Sequence, residues 1–186
     1  MAQETVALPE HPPAIPACGE DAEPRLREVE TLREMAVAAA DTVDPDEIFA
    51  IICNALPGLV GADFALAALP LFDAPREWCI ASEPPREAVS RLVQLLEQAR
   101  ETRETVVAAH GDGGARVVAP PYGSATAVAV PLPGDGPASG ALLVGWHGER
   151  AVGARAVRLV ETVAEQAGGA FRNAARFQAL RQTAER

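Results

Sequence analysis

The residues best equipped for chemistry are three cysteines and a histidine in a glycine-rich loop. Cys18, Cys53 and Cys79 show no Cys-x-x-Cys spacing and are odd in number, which predicts neither a zinc site nor a disulfide framework. His110 begins the loop His-Gly-Asp-Gly-Gly, where an imidazole could ligate haem or contact an anion, although loop histidines are more often simply exposed. Spacing alone therefore defines no catalytic or metal site. We expect Cys53 and Cys79 to be buried structural thiols.

The charged residues exclude several classes of function. Lysine is absent and all 16 basic residues are arginine, which rules out a Schiff-base lysine and a P-loop. The net charge of −10 argues against nucleic-acid phosphates or an anionic membrane as partners. The sequence shows no apolar run of membrane-spanning length and no signal-peptide pattern, so we expect a cytoplasmic protein of bacterial type.

The elements that must position these residues follow from hydrophobic periodicity. Residues 1–24 contain five prolines and little periodicity, which predicts a flexible tail. Helical spacing predicts helices over 25–42, 45–55, 86–102 and 153–186, the second of them capped by Asp44, Pro45 and Glu47. Apolar runs bounded by turn residues predict six strands, over 63–71, 77–82, 104–109, 116–119, 125–132 and 141–146.

The order of these elements predicts the fold class. Antiparallel hairpins with helices gathered at both chain ends are typical of an α+β sandwich, with the terminal helices on one face of the sheet and the middle helix on the other. We expect one domain over 25–175 and a helical extension over 176–186 that reaches towards a partner or an output domain.

Several segments resemble a GAF domain. Residues 128–132 read Val-Ala-Val-Pro-Leu, residues 140–146 read Gly-Ala-Leu-Leu-Val-Gly-Trp, and residues 159–174 contain the Ala-Glu-Gln-Ala core of the family's last helix. Residues 44–69 are similar to the family's opening, a helix followed by a Gly-Ala-Asp step and a strand. The resemblance implies a GAF-like α/β/α sandwich with a central antiparallel sheet of about six strands and long terminal helices.

The resemblance also implies a regulatory role, since GAF domains serve sensor kinases, cyclases, phosphatases and transcription activators. It implies a small-molecule pocket on the sheet face opposite the terminal helices, with the ligand or cofactor unknown. The residues there with chemistry to offer are Trp78, Cys79, His110, Arg116 and Tyr122. We therefore expect a sensory or regulatory module, with a ligand-free dimerisation module as the alternative.

This chain lacks the residues that two known activities of the family require. The Asn-Lys-Phe-Asp-Glu signature of cyclic-nucleotide binding is absent, because the chain has no lysine. GAF-fold methionine sulfoxide reductases need several cysteines that converge, whereas Cys18, Cys53 and Cys79 fall on a predicted tail, helix and strand. We expect no enzyme activity, and a GAF-fold redox enzyme is the less favoured alternative.

The final helix carries an apolar stripe close to coiled-coil spacing. Packing on the sheet can bury this stripe up to about Phe171, whereas Phe177 and Leu180 lie past the expected domain boundary and need a partner. The segment resembles those that lead from a GAF domain into a SpoIIE-type phosphatase or a histidine kinase. We expect a parallel homodimer of terminal helices. Its predicted interface residues are Leu26, Val29, Leu32, Phe171, Phe177 and Leu180.

Overall fold

Four helices and six strands make up the described part of the chain, which in this computed structural model comprises residues 22–71, 74–109, 116–118, 125–134 and 140–184. The helices are α1 (Ala22–Asp41), α2 (Pro45–Val60), α3 (Val89–Thr102) and α4 (Ala154–Ala184). The strands are β1 (Phe64–Ala68), β2 (Arg76–Cys79), β3 (Val106–Ala108), β4 (Arg116–Val118), β5 (Ala125–Pro131) and β6 (Ala141–His147).

The strands form one sheet in the order β2-β1-β6-β5-β3-β4. Neighbouring strands are antiparallel throughout except at the edge, where β3 and β4 run parallel. The predicted sheet was antiparallel, and this edge pair differs from it. A parallel neighbour cannot be reached through a tight hairpin, and residues 110–115, which connect β3 to β4, lie outside the described residues.

Strand alternation separates two cores, one on each face of the sheet. Ala65, Ala67 and their counterparts on β3, β5 and β6 face α1, α2 and α4. Phe64 and Leu66 point the other way and pack against α3. This arrangement of terminal helices, sheet and middle helix confirms the predicted α+β sandwich.

Helix α2 shows how local signals fix its two ends. The Asp44 side chain accepts a hydrogen bond from the Asp46 amide at 3.0 Å, as the predicted cap requires. The Glu47 carboxylate instead accepts a hydrogen bond from the Thr42 hydroxyl at 2.6 Å. The helix continues through Pro57, past the predicted end at residue 55, and stops at Gly61, which has a φ of 63°.

The structure describes the two ends of the chain to different extents. Most of the predicted flexible tail, residues 1–21, lies outside the described residues, and α1 begins at Ala22, inside the predicted tail. At the other end α4 is one continuous helix through the predicted extension as far as Ala184. None of the helices in the described ranges is long and apolar enough to cross a membrane.

Candidate functional site

Two of the predicted ligand-binding residues are neighbours on β2 and point to opposite faces of the sheet. Trp78 lies opposite Ala65 and packs on the core beneath the terminal helices, with its ring centroid 6.4 Å from that of Phe49 in an edge-on arrangement. Cys79 lies opposite Phe64, on the α3 side, and is exposed. The two side chains therefore cannot line one pocket, because consecutive strand residues alternate between faces.

The other three predicted residues are described only in part. His110 and Tyr122 lie outside the described residues. Arg116 begins β4 and pairs with Val106, which places its backbone at the edge of the sheet, while its side chain lies outside the described atoms. Of the five predicted side chains the structure therefore describes only Trp78 and Cys79, and a site formed by all five stays a prediction.

The sheet face that the resemblance assigns to a pocket is packed by α3 across β1, β3, β5 and β6. Leu92, Leu96 and Ala99 of α3 are fully buried against that face. Most of the sheet side chains on this face are alanines, and their small size leaves room for the leucines of α3. The alanines concerned are Ala68, Ala108, Ala125, Ala127, Ala129 and Ala141.

The two thiols that the structure describes differ sharply in environment. Cys53 is fully buried in α2, as expected, and burial raises the pKa of its thiol. Cys79 was expected to be buried, and this prediction was wrong. Its pKa is also raised, first by desolvation and then by the carboxylates of Glu83 and Glu77. A raised pKa lowers the thiolate fraction at neutral pH, so neither environment activates a nucleophile.

The structure instead contains two cavities beside α4 that the sequence did not predict. Both are bordered by residues 132–134, at the end of β5. Pro133 lines both cavities and is in close contact with Gly168 of α4, where an added Cβ would lie 2.7 Å from Pro133 Cδ. The Arg172 guanidinium donates a hydrogen bond to the Pro133 carbonyl and fastens the same contact.

The first of these, which we call the acid-lined cavity, has a volume of about 380 Å³. Arg103, Thr105, Glu161 and Glu165 supply its polar wall. The Thr105 hydroxyl donates a hydrogen bond to Glu161 Oε1 at 2.7 Å, which links the start of β3 to α4. Two glutamates face one arginine, so the charged groups of this wall carry a formal net charge of −1.

The second, which we call the exit cavity, has a volume of about 290 Å³ and lies where α4 leaves the domain. Its apolar wall includes Leu69, Leu132 and Phe171, each at most 7% exposed. Arg172 and Arg176 supply its polar rim. No sequence signal points to this site, because its walls come from the ends of β1 and β5 and from α4, which are far apart in the chain. The described ranges contain no group of three or more histidine, cysteine or acidic side chains that could hold a metal ion.

Comparison with solved structures shows that the fold is GAF-like. The GAF domain assigned to a sensor histidine kinase of Pseudomonas syringae pv. tomato superposes with a TM-score of 0.61 at 15% identity, over 90% of this chain and 99% of that chain. Free methionine-R-sulfoxide reductase from Neisseria meningitidis gives 0.56 at 18% identity, over 83% and 93%. The photosensory core module of Stigmatella aurantiaca phytochrome gives 0.60 at 20% identity, over 91% and 42%.

Sequence comparison adds no closer relative. No protein-family model matches the chain, and no curated protein matches it. The structural neighbours confirm the resemblance seen in the sequence at the level of the fold, and they include both sensory proteins and one enzyme.

Proposed function

We propose that this chain is a non-enzymatic sensory or regulatory GAF domain that acts through a homodimer of its terminal helices. The observation that carries the proposal is the projecting end of α4. Among the side chains that the structure describes, Ala174 is the last fully buried one of the helix, which continues to Ala184. Ten further residues extend the helix by roughly 15 Å. Phe177 and Leu180, 42% and 69% exposed, lie on this projecting part.

The projecting part has the residue spacing of a helix-pairing surface. Asn173, Phe177, Leu180 and Ala184 recur at intervals of four, three and four and therefore share one face of α4. All four are uncharged, and Arg176 flanks them. Two copies of this face can bury Phe177 and Leu180 against each other, which removes apolar surface from water.

The interface proposed here contains fewer residues than the interface predicted from the sequence. Phe171 is 6% exposed and packs within the chain's own core, and Leu32 is half-buried against the same core. Leu26 and Val29 of α1 remain 67% and 62% exposed. We therefore retain Leu26 and Val29, with the projecting part of α4, as the proposed interface.

The two ends of this interface lie far apart along the helical layer. Glu28 of α1 forms an ion pair with Arg155, at the start of α4. Phe177 lies 22 residues further along α4, roughly 33 Å at the helical rise of 1.5 Å per residue. In a parallel dimer each end meets its own counterpart, whereas an antiparallel dimer would place Leu26 and Val29 against Phe177 and Leu180. We favour the parallel arrangement, because it pairs the uncharged face of the α4 end with itself.

Self-association provides the test of the proposal. We expect the unmodified chain to have the mass of a dimer in light scattering, and the double variant Phe177→Asp/Leu180→Asp to have that of a monomer, since the seam cannot bury two carboxylates. Ala179→Asp is the matched control, because Ala179 is exposed on another face of the same segment. A monomeric unmodified chain, or a double variant that remains dimeric, would refute the proposed interface.

The proposed role divides the chain as the sequence predicted. Residues 25–175 form the regulatory domain, and residues 176–186 reach a partner or an output domain, all in the cytoplasm. A small molecule retained in native mass spectrometry, or a chromophore in the absorption spectrum, would support sensing. An empty dimer would favour the ligand-free dimerisation module instead.

The reductase among the structural neighbours raises a redox enzyme as the second candidate. Cys53 is packed in the core beneath the terminal helices, whereas Cys79 is exposed on the α3 side of the sheet. These two thiols cannot meet at one substrate without unfolding. This separation supports the non-enzymatic proposal.

A further inference from the structure

The exit cavity combines an apolar interior with two arginines and no acidic residue in its described lining. This combination is unusual in a chain whose net charge is −10. Arg172 and Arg176 lie four residues apart on α4, so their like charges are neighbours on one face of the helix and repel each other. An anion at the rim would relieve that repulsion.

The two guanidinium groups differ in how they are engaged. Arg172 is held by its hydrogen bond to the Pro133 carbonyl, which orients it across the rim. The Arg176 guanidinium makes no hydrogen bond or ion pair with any residue in the described ranges. No residue of the described ranges therefore competes with an external carboxylate for Arg176, and its planar donors suit two-point pairing with such a group.

The interior of the exit cavity restricts the size and the polarity of a ligand. Leu69, Leu132, Phe171 and Ala175 present apolar atoms, and a volume of about 290 Å³ suits a small body. This volume lies at the lower edge of the range for small-molecule sites, about 300 to 1,000 Å³. A polar body would leave its hydrogen-bonding groups unpaired among these side chains.

We propose that the exit cavity binds a small apolar monocarboxylate, whose hydrocarbon body enters the cavity and whose carboxylate pairs with Arg176. Such a ligand contacts the end of β1 on one side and α4 on the other, just before α4 projects from the domain. Binding would fasten the exit of α4 to the sheet. The site thus supplies a ligand class and a means of regulation for the proposed sensory dimer, and its regulatory part rests on that proposed function.

Octanoate is the probe for this site, with 1-octanol and octylamine as neutral and cationic controls of the same chain length. In isothermal titration we expect saturable binding of octanoate alone. Arg176→Gln should weaken it about tenfold, because a charge-assisted hydrogen bond is lost. Arg181→Gln, an exposed arginine on α4 outside the cavity, should leave it unchanged. Ala175→Leu should abolish binding by filling the interior.

Hydrogen exchange measures the consequence for α4. Bound octanoate should slow amide exchange in residues 171–180 of the unmodified chain and not in the Arg176→Gln variant. Absence of saturable binding, equal binding of 1-octanol, or binding unaffected by both cavity variants would overturn the proposal. Dimer mass is measured separately by light scattering, so failure of the cavity site and failure of the proposed dimer give different results.

Discussion

Gly145 lies at a position in the sheet that has no room for a side chain. It lies opposite Phe64 in the β1–β6 pairing, and a Cβ at this position would overlap the Phe64 ring. The ring is fully buried and packs edge-on against His147 at a centroid distance of 5.7 Å. Phe64 therefore cannot move aside without disturbing both the α3-side core and the end of β6.

We expect Gly145→Ala to lower the free energy of unfolding by about 1–3 kcal/mol, the usual cost of overpacking a core. Gly58→Ala is the control, because a Cβ there meets no atom within 4 Å. Gly58 lies inside α2, so its replacement should stabilise the chain by about 0.5–1 kcal/mol. Urea denaturation of both variants measures the two effects, and equal effects would contradict this account of Gly145.

Asp63 shows what a sequence resemblance can and cannot predict at the residue scale. The Gly-Ala-Asp step before β1 was recognised in the sequence, but not its role. The Asp63 carboxylate accepts a hydrogen bond from the His147 amide at 2.9 Å, and its carbonyl accepts one from the Ala81 amide at 2.8 Å. One residue thereby joins the ends of β2 and β6 to the start of β1. Partners this distant in the chain carry no local signal.

The contact between α4 and the end of β5 is the main feature at the scale of elements. Gly168 and Gly169 are adjacent in α4, where the helix passes the end of β5. Gly168 admits Pro133 of the same chain, while a Cβ at Gly169 would have Arg172 Nη2 as its nearest neighbour, at 3.9 Å. Adjacent glycines in one helix thus have different roles.

We expect the two glycines to respond to alanine in opposite directions. Gly168→Ala should destabilise the chain by about 1–3 kcal/mol, because the proline ring and its carbonyl must move away from α4. Gly169→Ala should stabilise it by about 0.5–1 kcal/mol through helix propensity. Thermal unfolding followed by circular dichroism compares them, and a stabilising Gly168→Ala would show that the contact is not tight.

Elements were predictable where their signals are local. Hydrophobic periodicity located every helix and strand of the described ranges, and Asp44 located the start of α2. The end of α2 was missed because Pro57 was compatible with the helix, and Gly61 determined where it stopped. The parallel pairing of β4 was missed because strand direction depends on a crossing path and not on the composition of β4.

The whole molecule was predictable in its layers and not in its cavities. Helices at both chain ends and a hairpin-rich middle section correctly predicted the sandwich. The exit cavity was not predictable, since segments 69–71, 132–134 and 168–176 come together only in the fold. The predicted pocket residues were chosen for their chemistry, and strand alternation separates Trp78 from Cys79.

The central claim is that two copies of the chain pair in parallel through the end of α4. Disulfide trapping tests it most directly. The background carries Cys79→Ser, which removes the exposed thiol, and Cys18→Ser, so that Cys53, which is buried, is the one native cysteine left. Leu180→Cys should form a covalent dimer rapidly under mild oxidation, because each residue 180 then faces its own counterpart across the seam. Ala179→Cys, on another face of the helix, should form it slowly. Equal rates for the two variants, or no covalent dimer at residue 180, would contradict the claim.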